Sequence, residues 1–258
     1  MRRNGTAVVA ALGLALALTA CGGAGEGLEG IDFSSSAWLD AYMEEALPAY
    51  GRDFTQSAAF SYSGGAGKFV LLYASEAGVE EIRDHYKTSH AAREQGRNDG
   101  TALDLALELE GGTARIVNYF SPVSRVVEQE LRPEPELVQR VREQLEAAYP
   151  QAAAEAALEG TGLTDGQVYG GYVRYTYDAL DPYFDQGAPI FSRAYVDSGE
   201  EGDYQAALDL LKGRFARSSY VEAENATYFQ LEEGVLSLSR FENGEQKQIV
   251  TVNLQITK

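Results

Sequence analysis

Cysteine is nearly absent from this chain: 258 residues contain one, Cys21. Without a second thiol no intramolecular disulfide can form, so the fold has to rest on its apolar core. Histidine is almost as scarce, with only His85 and His90. They stand five residues apart, whereas a helical metal pair needs i, i+3 or i, i+4 spacing, so no metal site is expected there. A Ser-His-Asp triad would have to recruit one of these two, and neither G-x-S-x-G nor S-x-x-K occurs. Basic residues are few as well, 21 against 39 acidic ones, for a formal charge of −18. That excess opposes binding to nucleic acid or to anionic headgroups. Beyond residue 20 no apolar run is long enough to span a bilayer.

What the chain does have begins at its N-terminus. Met1-Arg2-Arg3 is a basic start, residues 7–20 are almost all Ala, Val, Leu and Gly, and small residues surround Cys21. This is the three-part pattern of an export signal, and it is shorter than the roughly 20 apolar residues a spanning helix requires. Leu18-Thr19-Ala20-Cys21 resembles the bacterial lipobox. The resemblance implies cleavage before Cys21 and lipidation of that cysteine. It also implies an exported lipoprotein held on the cell membrane or outer membrane, facing periplasm or exterior. Each buried acyl CH₂ would contribute about 0.8 kcal/mol to the anchor. Residues 1–20 are then a signal peptide, and their loss takes the formal charge from −18 to −20. Residues 21–35 open with five glycines in nine positions, Gly22 to Gly30, and are expected to be a lipidated spacer.

The rest of the chain states one pattern twice, which predicts an α+β fold of two tandem modules, 36–132 and 133–258. Each would pack helices on one face of an antiparallel sheet, in the order helix, two strands, helix, three-strand meander. In the first, a helix from Trp38 stops at Pro48. Strands Ala58 to Tyr62 and Lys68 to Tyr73 flank a turn, and Val79, Ile82 and Tyr86 share a helix face. Leu103, Leu105, Leu107 and Leu109 then alternate to open the meander. In the second, Pro135 starts a helix with Leu137, Val141 and Leu145 on one side. Strands Gly171 to Tyr177 and Ile190 to Val196 follow, and Ser198 with Glu201 has capping-box spacing before a helix striped by Ala207, Leu208 and Leu211. The second meander closes with Val250, Val252, Leu254 and Ile256 alternating with Thr251, Asn253 and Gln255, the pattern of a strand with one wet face. Whether the two modules share one sheet is open at this level. Tyr73 to Lys87 also resembles a strand-helix phrase of small bacterial envelope proteins, which implies a fold and no reaction.

Chemistry-bearing motifs are few. Gly64-Gly65-Ala66-Gly67-Lys68 lacks the first glycine and the Ser/Thr of a phosphate loop and reads as a hairpin turn. The candidate site is the loop Tyr177 to Pro189, longer than a hairpin needs, with Asp178, Asp181 and Asp185 and flanking tyrosines. It could present a ligand surface, hold calcium, or supply paired acid and base, although the alternating carboxylates of an EF-hand are missing. The expectation is a non-enzymatic envelope lipoprotein, a binding or assembly module that meets the membrane through Cys21 and an envelope partner through its surface. An enzyme acting on envelope polymers through those carboxylates, and a calcium-stabilised module, are the alternatives.

Overall fold

The computed structural model describes residues 28–257 except 97, 100, 101, 122, 123, 178–181, 198–202 and 243–247. Cys21, Asp178, Asp181 and the Ser198–Glu201 pair therefore lie outside the described residues. The described residues are α+β, with five α-helices and one antiparallel sheet of twelve strands. In chain order these are α1 (Ala37–Ala46), β1 (Arg52–Ser63), β2 (Ala66–Ser75), α2 (Val79–His90), β3 (Arg93–Glu94), β4 (Leu103–Leu109), β5 (Gly112–Ser121) and β6 (Ser124–Pro133). Then come α3 (Pro135–Ala148), α4 (Gln151–Leu158), β7 (Val168–Thr176), β8 (Ile190–Val196), α5 (Asp203–Arg214), β9 (Tyr220–Glu222), β10 (Ala226–Leu231), β11 (Gly234–Glu242) and β12 (Gln248–Ile256).

Across the sheet the order is β3-β4-β5-β6-β2-β1-β7-β8-β12-β11-β10-β9. Adding six to the number of any strand from β1 to β6 gives the strand at its mirror position, so the two halves of the order match when read from opposite edges. The centre is the antiparallel pairing of β1 with β7, from Ser57 opposite Thr176 to Ser63 opposite Gly170. The edge strands β3 and β9 are only two and three residues long, which leaves little backbone for another chain to pair with.

Register makes the core continuous. Leu107, Ala114, Leu131, Phe69, Phe60 and Val173 stand directly opposite one another in sequence across β4, β5, β6, β2, β1 and β7. The row runs on through Phe191, Leu254, Leu236 and Phe229. Because side chains alternate along a strand, this row and its i±2 neighbours form one apolar face, and the helices cover it. One buried cluster joins α1, α2 and α3 to strands β1, β2, β4 to β7. A second joins α4 and α5 to β8 and β10 to β12. Among the described residues no helix is long and apolar enough to cross a membrane.

The question the sequence left open is answered: the strands of both halves form one sheet, because β1 and β7 present matching apolar faces and pair along their backbones. Two expectations need correction. Helix α3, placed in the second module by sequence, packs Leu137, Val138, Val141 and Leu145 into the first cluster. The spacer ends earlier than residue 35: Leu28 and Phe33 are buried. The Gln144 side chain holds the Ile31 amide (2.8 Å) and the Leu28 carbonyl (2.6 Å), and Tyr175 donates to the Phe33 carbonyl (3.0 Å). A glycine count cannot reveal that a leucine within the run has a place to dock.

Two hairpins show the same local device. Gly112 and Gly234 open β5 and β11 at φ of 157° and 153°. A Cβ on Gly112 would lie 2.3 Å from the Arg132 carbonyl oxygen, and one on Gly234 would lie 1.9 Å from that of Gln255. Backbone cannot yield as a side-chain end can, so alanine at either position forces a local strand shift. Gly234→Ala is expected to lower stability by about 1–3 kcal/mol. Gly65→Ala, in a turn where a Cβ meets nothing within 4 Å, should leave it nearly unchanged. Denaturant unfolding of both variants checks this, and equal effects would contradict it.

Candidate functional site

The sheet's second face, away from the helices, is set by the residues between the apolar ones. One row across the centre is Ser63, Gly170, Ala194 and Thr251, on β1, β7, β8 and β12. No side chain in it exceeds threonine in size. The next row is Lys68, Ser61 and Tyr172, continuing through Ser192, Asn253 and Ser237. Beyond the small row on the other side stands Phe241, 47% exposed. A row of small residues between larger ones leaves a trough, here a cavity of about 400 Å³ across the β1–β7 seam. That volume is within the range of about 300–1,000 Å³ typical of small-molecule sites.

Strand β7 shapes this cavity. Its pairing with β8 slips between Val168 and Gly170, so Tyr169 is an extra residue in the ladder, a bulge that turns it into the cavity wall. Gly170 and Gly171 follow because the strands close in. A Cβ on Gly170 would lie 2.3 Å from the Tyr62 carbonyl oxygen, and one on Gly171 would lie 2.8 Å from that of Ser192. On the polar row the Tyr172 hydroxyl donates to Asn253 Oδ1, and Asn253 Nδ2 donates to Ser237 Oγ (2.9 Å).

Lys68 and Arg132 line the cavity from the first half of the sheet. Between them the Glu130 carboxylate accepts from Lys68 Nζ at 2.5 Å and from Arg132 Nε at 2.6 Å. Burial pushes the Glu130 carboxyl up, but the two cations outweigh it, and its pKa falls below the ordinary glutamate value. On the helix side the same seam is clamped by Glu146 of α3, which accepts from the Tyr62 hydroxyl of β1 and from Arg193 Nη2 of β8 (2.6 Å). The Arg193 guanidinium also lies 3.8 Å above the Tyr149 ring.

The loop singled out from sequence lies against the second half of this face. Of its three carboxylates only Asp185 is among the described residues; it is exposed, and its amide donates to Gln255 Oε1 (2.6 Å). Gln255 Nε2 donates in return to the Asp185 carbonyl (3.0 Å), Phe184 is buried, and the Tyr183 ring lies 4.2 Å from that of Tyr228. Residues 182–189 of the loop are therefore packed down onto the sheet. This overturns the expected wet face of β12: Thr251, Asn253 and Gln255 are 6%, 8% and 0% exposed, covered by neighbouring side chains and this loop. Among the described residues no three His, Cys, Asp or Glu side chains converge as a metal site would require. His85 instead stacks on Tyr50 at 4.0 Å, and its ring centre is 6.1 Å from that of His90. Burial, together with His90, pushes His85 below the usual imidazole range.

Sequence reasoning found the flanking tyrosines and the loop but missed the cavity. The overlooked signal was Gly170-Gly171 inside a strand pattern, which marks a bulge or a close backbone approach.

No family model matches the chain, and no curated protein matches it. Among solved structures, a chain of the Pseudomonas aeruginosa MucA/MucB complex is 12% identical, covering 80% of this chain and 89% of that one, with a TM-score of 0.15. The di-domain ARO/CYC StfQ from the steffimycin biosynthetic pathway is 10% identical, covering 87% and 82%, with a TM-score of 0.13. Likenesses this weak bear on neither fold nor function.

Because the folded-state pKa of Glu130 is lowered, its pairing stabilises the fold above the unfolded value of about 4.3 and is lost as pH falls through the folded value. On acidification below about pH 4.3, the melting temperature of the parent should therefore fall more steeply than that of Glu130→Gln. Parallel slopes would contradict the pairing.

Proposed function

We propose that this chain is a membrane-anchored bacterial envelope lipoprotein, tethered through Cys21, that binds a small ligand at the seam of its sheet and catalyses no reaction. The observation that carries the reading is the cavity, built jointly by both halves where β1 meets β7. Its described lining is hydroxyls, cations, small residues and aromatic rings, which are groups that bind and orient. Both histidines lie elsewhere, on α2.

The two halves are read as tandem modules that arose by duplication and then fused edge to edge. The mirrored strand order supports this, as do the matched glycines Gly112 and Gly234, each pressed against the strand that closes its meander. Duplication of a half-sheet creates a central seam automatically, and a site at such a seam draws residues from both copies.

The tether sets the site's distance from the lipid. Residues from Leu28 on are bound to the body, so the seven-residue step from Cys21 to Leu28 spans at most about 25 Å. The module is thus held at the membrane surface with little reach. Its acidic body makes the lipid chains the attachment, since the charge repels anionic headgroups.

Two measurements test this. Cys21→Ser should move the protein from the membrane fraction to the soluble fraction or leave it uncleaved; unchanged membrane retention would overturn the anchor. Ala194→Leu fills the small row without touching the helix side. After incubation with an organic extract of the host envelope, native mass spectrometry should show an adduct on the parent chain and none on the variant. The same adduct on both would place the ligand elsewhere and overturn the site.

A further inference from the structure

The cavity's lining narrows the ligand class, an inference that rests on the binding reading above. The chain has 39 acidic residues against 21 basic ones, yet among the described residues the charged groups lining the cavity are Lys68 and Arg132, and no Asp or Glu is part of that lining. Glu130, just behind, neutralises one positive charge of the pair through its bonds to both. One positive charge is left over at the cavity edge. Neither cation is buried in reaching it: the Lys68 side chain is 40% exposed and that of Arg132 is 63% exposed. Both can turn to meet a ligand without a large desolvation cost.

The floor and walls speak to shape. Ser63, Gly170 and Ala194 make a broad floor with almost no side-chain relief, the surface of the sheet itself. Tyr169, raised by the bulge, and Phe241, half exposed at the rim, stand beside it. A narrow tunnel would suit an extended acyl chain; a broad floor with aromatic walls suits a flat ring, which stacks on or meets the edges of its neighbours. Covering Phe241 also removes apolar surface from water.

We propose that the cavity binds a planar aromatic monoanion, a ring system carrying a single carboxylate or equivalent acid. The ring lies on the Gly170–Ala194 floor between Tyr169 and Phe241, and the anionic group meets Lys68 and Arg132.

The test uses isothermal titration of the purified full chain with three probes: 2-naphthoate, the neutral isostere 2-naphthamide, and decanoate, an anion with an extended chain. Expected is saturable binding of 2-naphthoate, one per chain, at least about tenfold tighter than of either other probe, the difference a charge-assisted hydrogen bond makes. Lys68→Met should weaken 2-naphthoate about tenfold and leave 2-naphthamide unchanged, while Ala194→Leu weakens both. Melting curves matching the parent show that these variants fold. The proposal is overturned if 2-naphthoate does not saturate, if the amide or decanoate binds as tightly, or if Ala194→Leu has no effect. Should 2-naphthoate fail while the envelope-extract adduct persists and remains sensitive to Ala194→Leu, the ligand class falls and the binding site stands. If neither binds, both fall.

Discussion

The pairing of β1 with β7 is the interaction on which the rest of this structure depends. Seven residue pairs in antiparallel register, bonded through the backbone at alternate pairs, turn two half-sheets into one. Phe60 lies at its centre, fully buried between Phe69 of β2 and Val173 of β7, with the Phe69 ring 4.9 Å away. Losing a ring from such a position costs about 3–5 kcal/mol, a large part of what a domain has in reserve. Separating the strands would expose two unpaired edges as well as these rings. The helix side adds its own clamp: Glu146 holds Tyr62 and Arg193 together, and the N-terminal segment straps β7 through Trp38 and Phe33, both bonded to the Tyr175 hydroxyl.

The same pairing makes the site. Strand side chains have a period of two, so fixing the apolar row toward the helices fixes the small and polar rows toward the opposite face. Gly170 answers to a steric constraint, the approach of the Tyr62 carbonyl, and its missing side chain is also what opens the floor of the cavity. Fold and site therefore share one cause. A change that relieved the crowding at the seam would also fill the trough.

Much of the fold was legible in the sequence because the periodic signals were strong. The alternation from Leu103 to Leu109 and from Val250 to Ile256 gave the meander strands, and the stripe Val79, Ile82, Tyr86 gave α2. The strands β3 and β9 are too short to carry a period, and they were missed. Polarity misled in β12: Thr251, Asn253 and Gln255 look like a wet face, but burial there depends on a loop and on cross-strand partners such as Tyr172 that no local pattern shows. The cavity was hidden for a similar reason. Ser63, Gly170, Ala194 and Thr251 are neighbours only through successive strand registers, and the outermost two are 188 residues apart in the chain. Lys68 was visible only as a failed phosphate loop; its relation to Arg132 is a product of the β2–β6 pairing.

The central claim is that the seam is as firm as the sheets it joins, so that a site built across it is preformed. Amide hydrogen exchange read residue by residue under increasing denaturant tests this most directly. The account predicts that amides of Ala58, Phe60 and Val173, which face the seam, exchange only through the same global opening as those of Ile116 in β5 and Val252 in β12. Exchange of the seam amides through a separate opening of distinctly lower free energy, with the two half-sheets still protected, would contradict it.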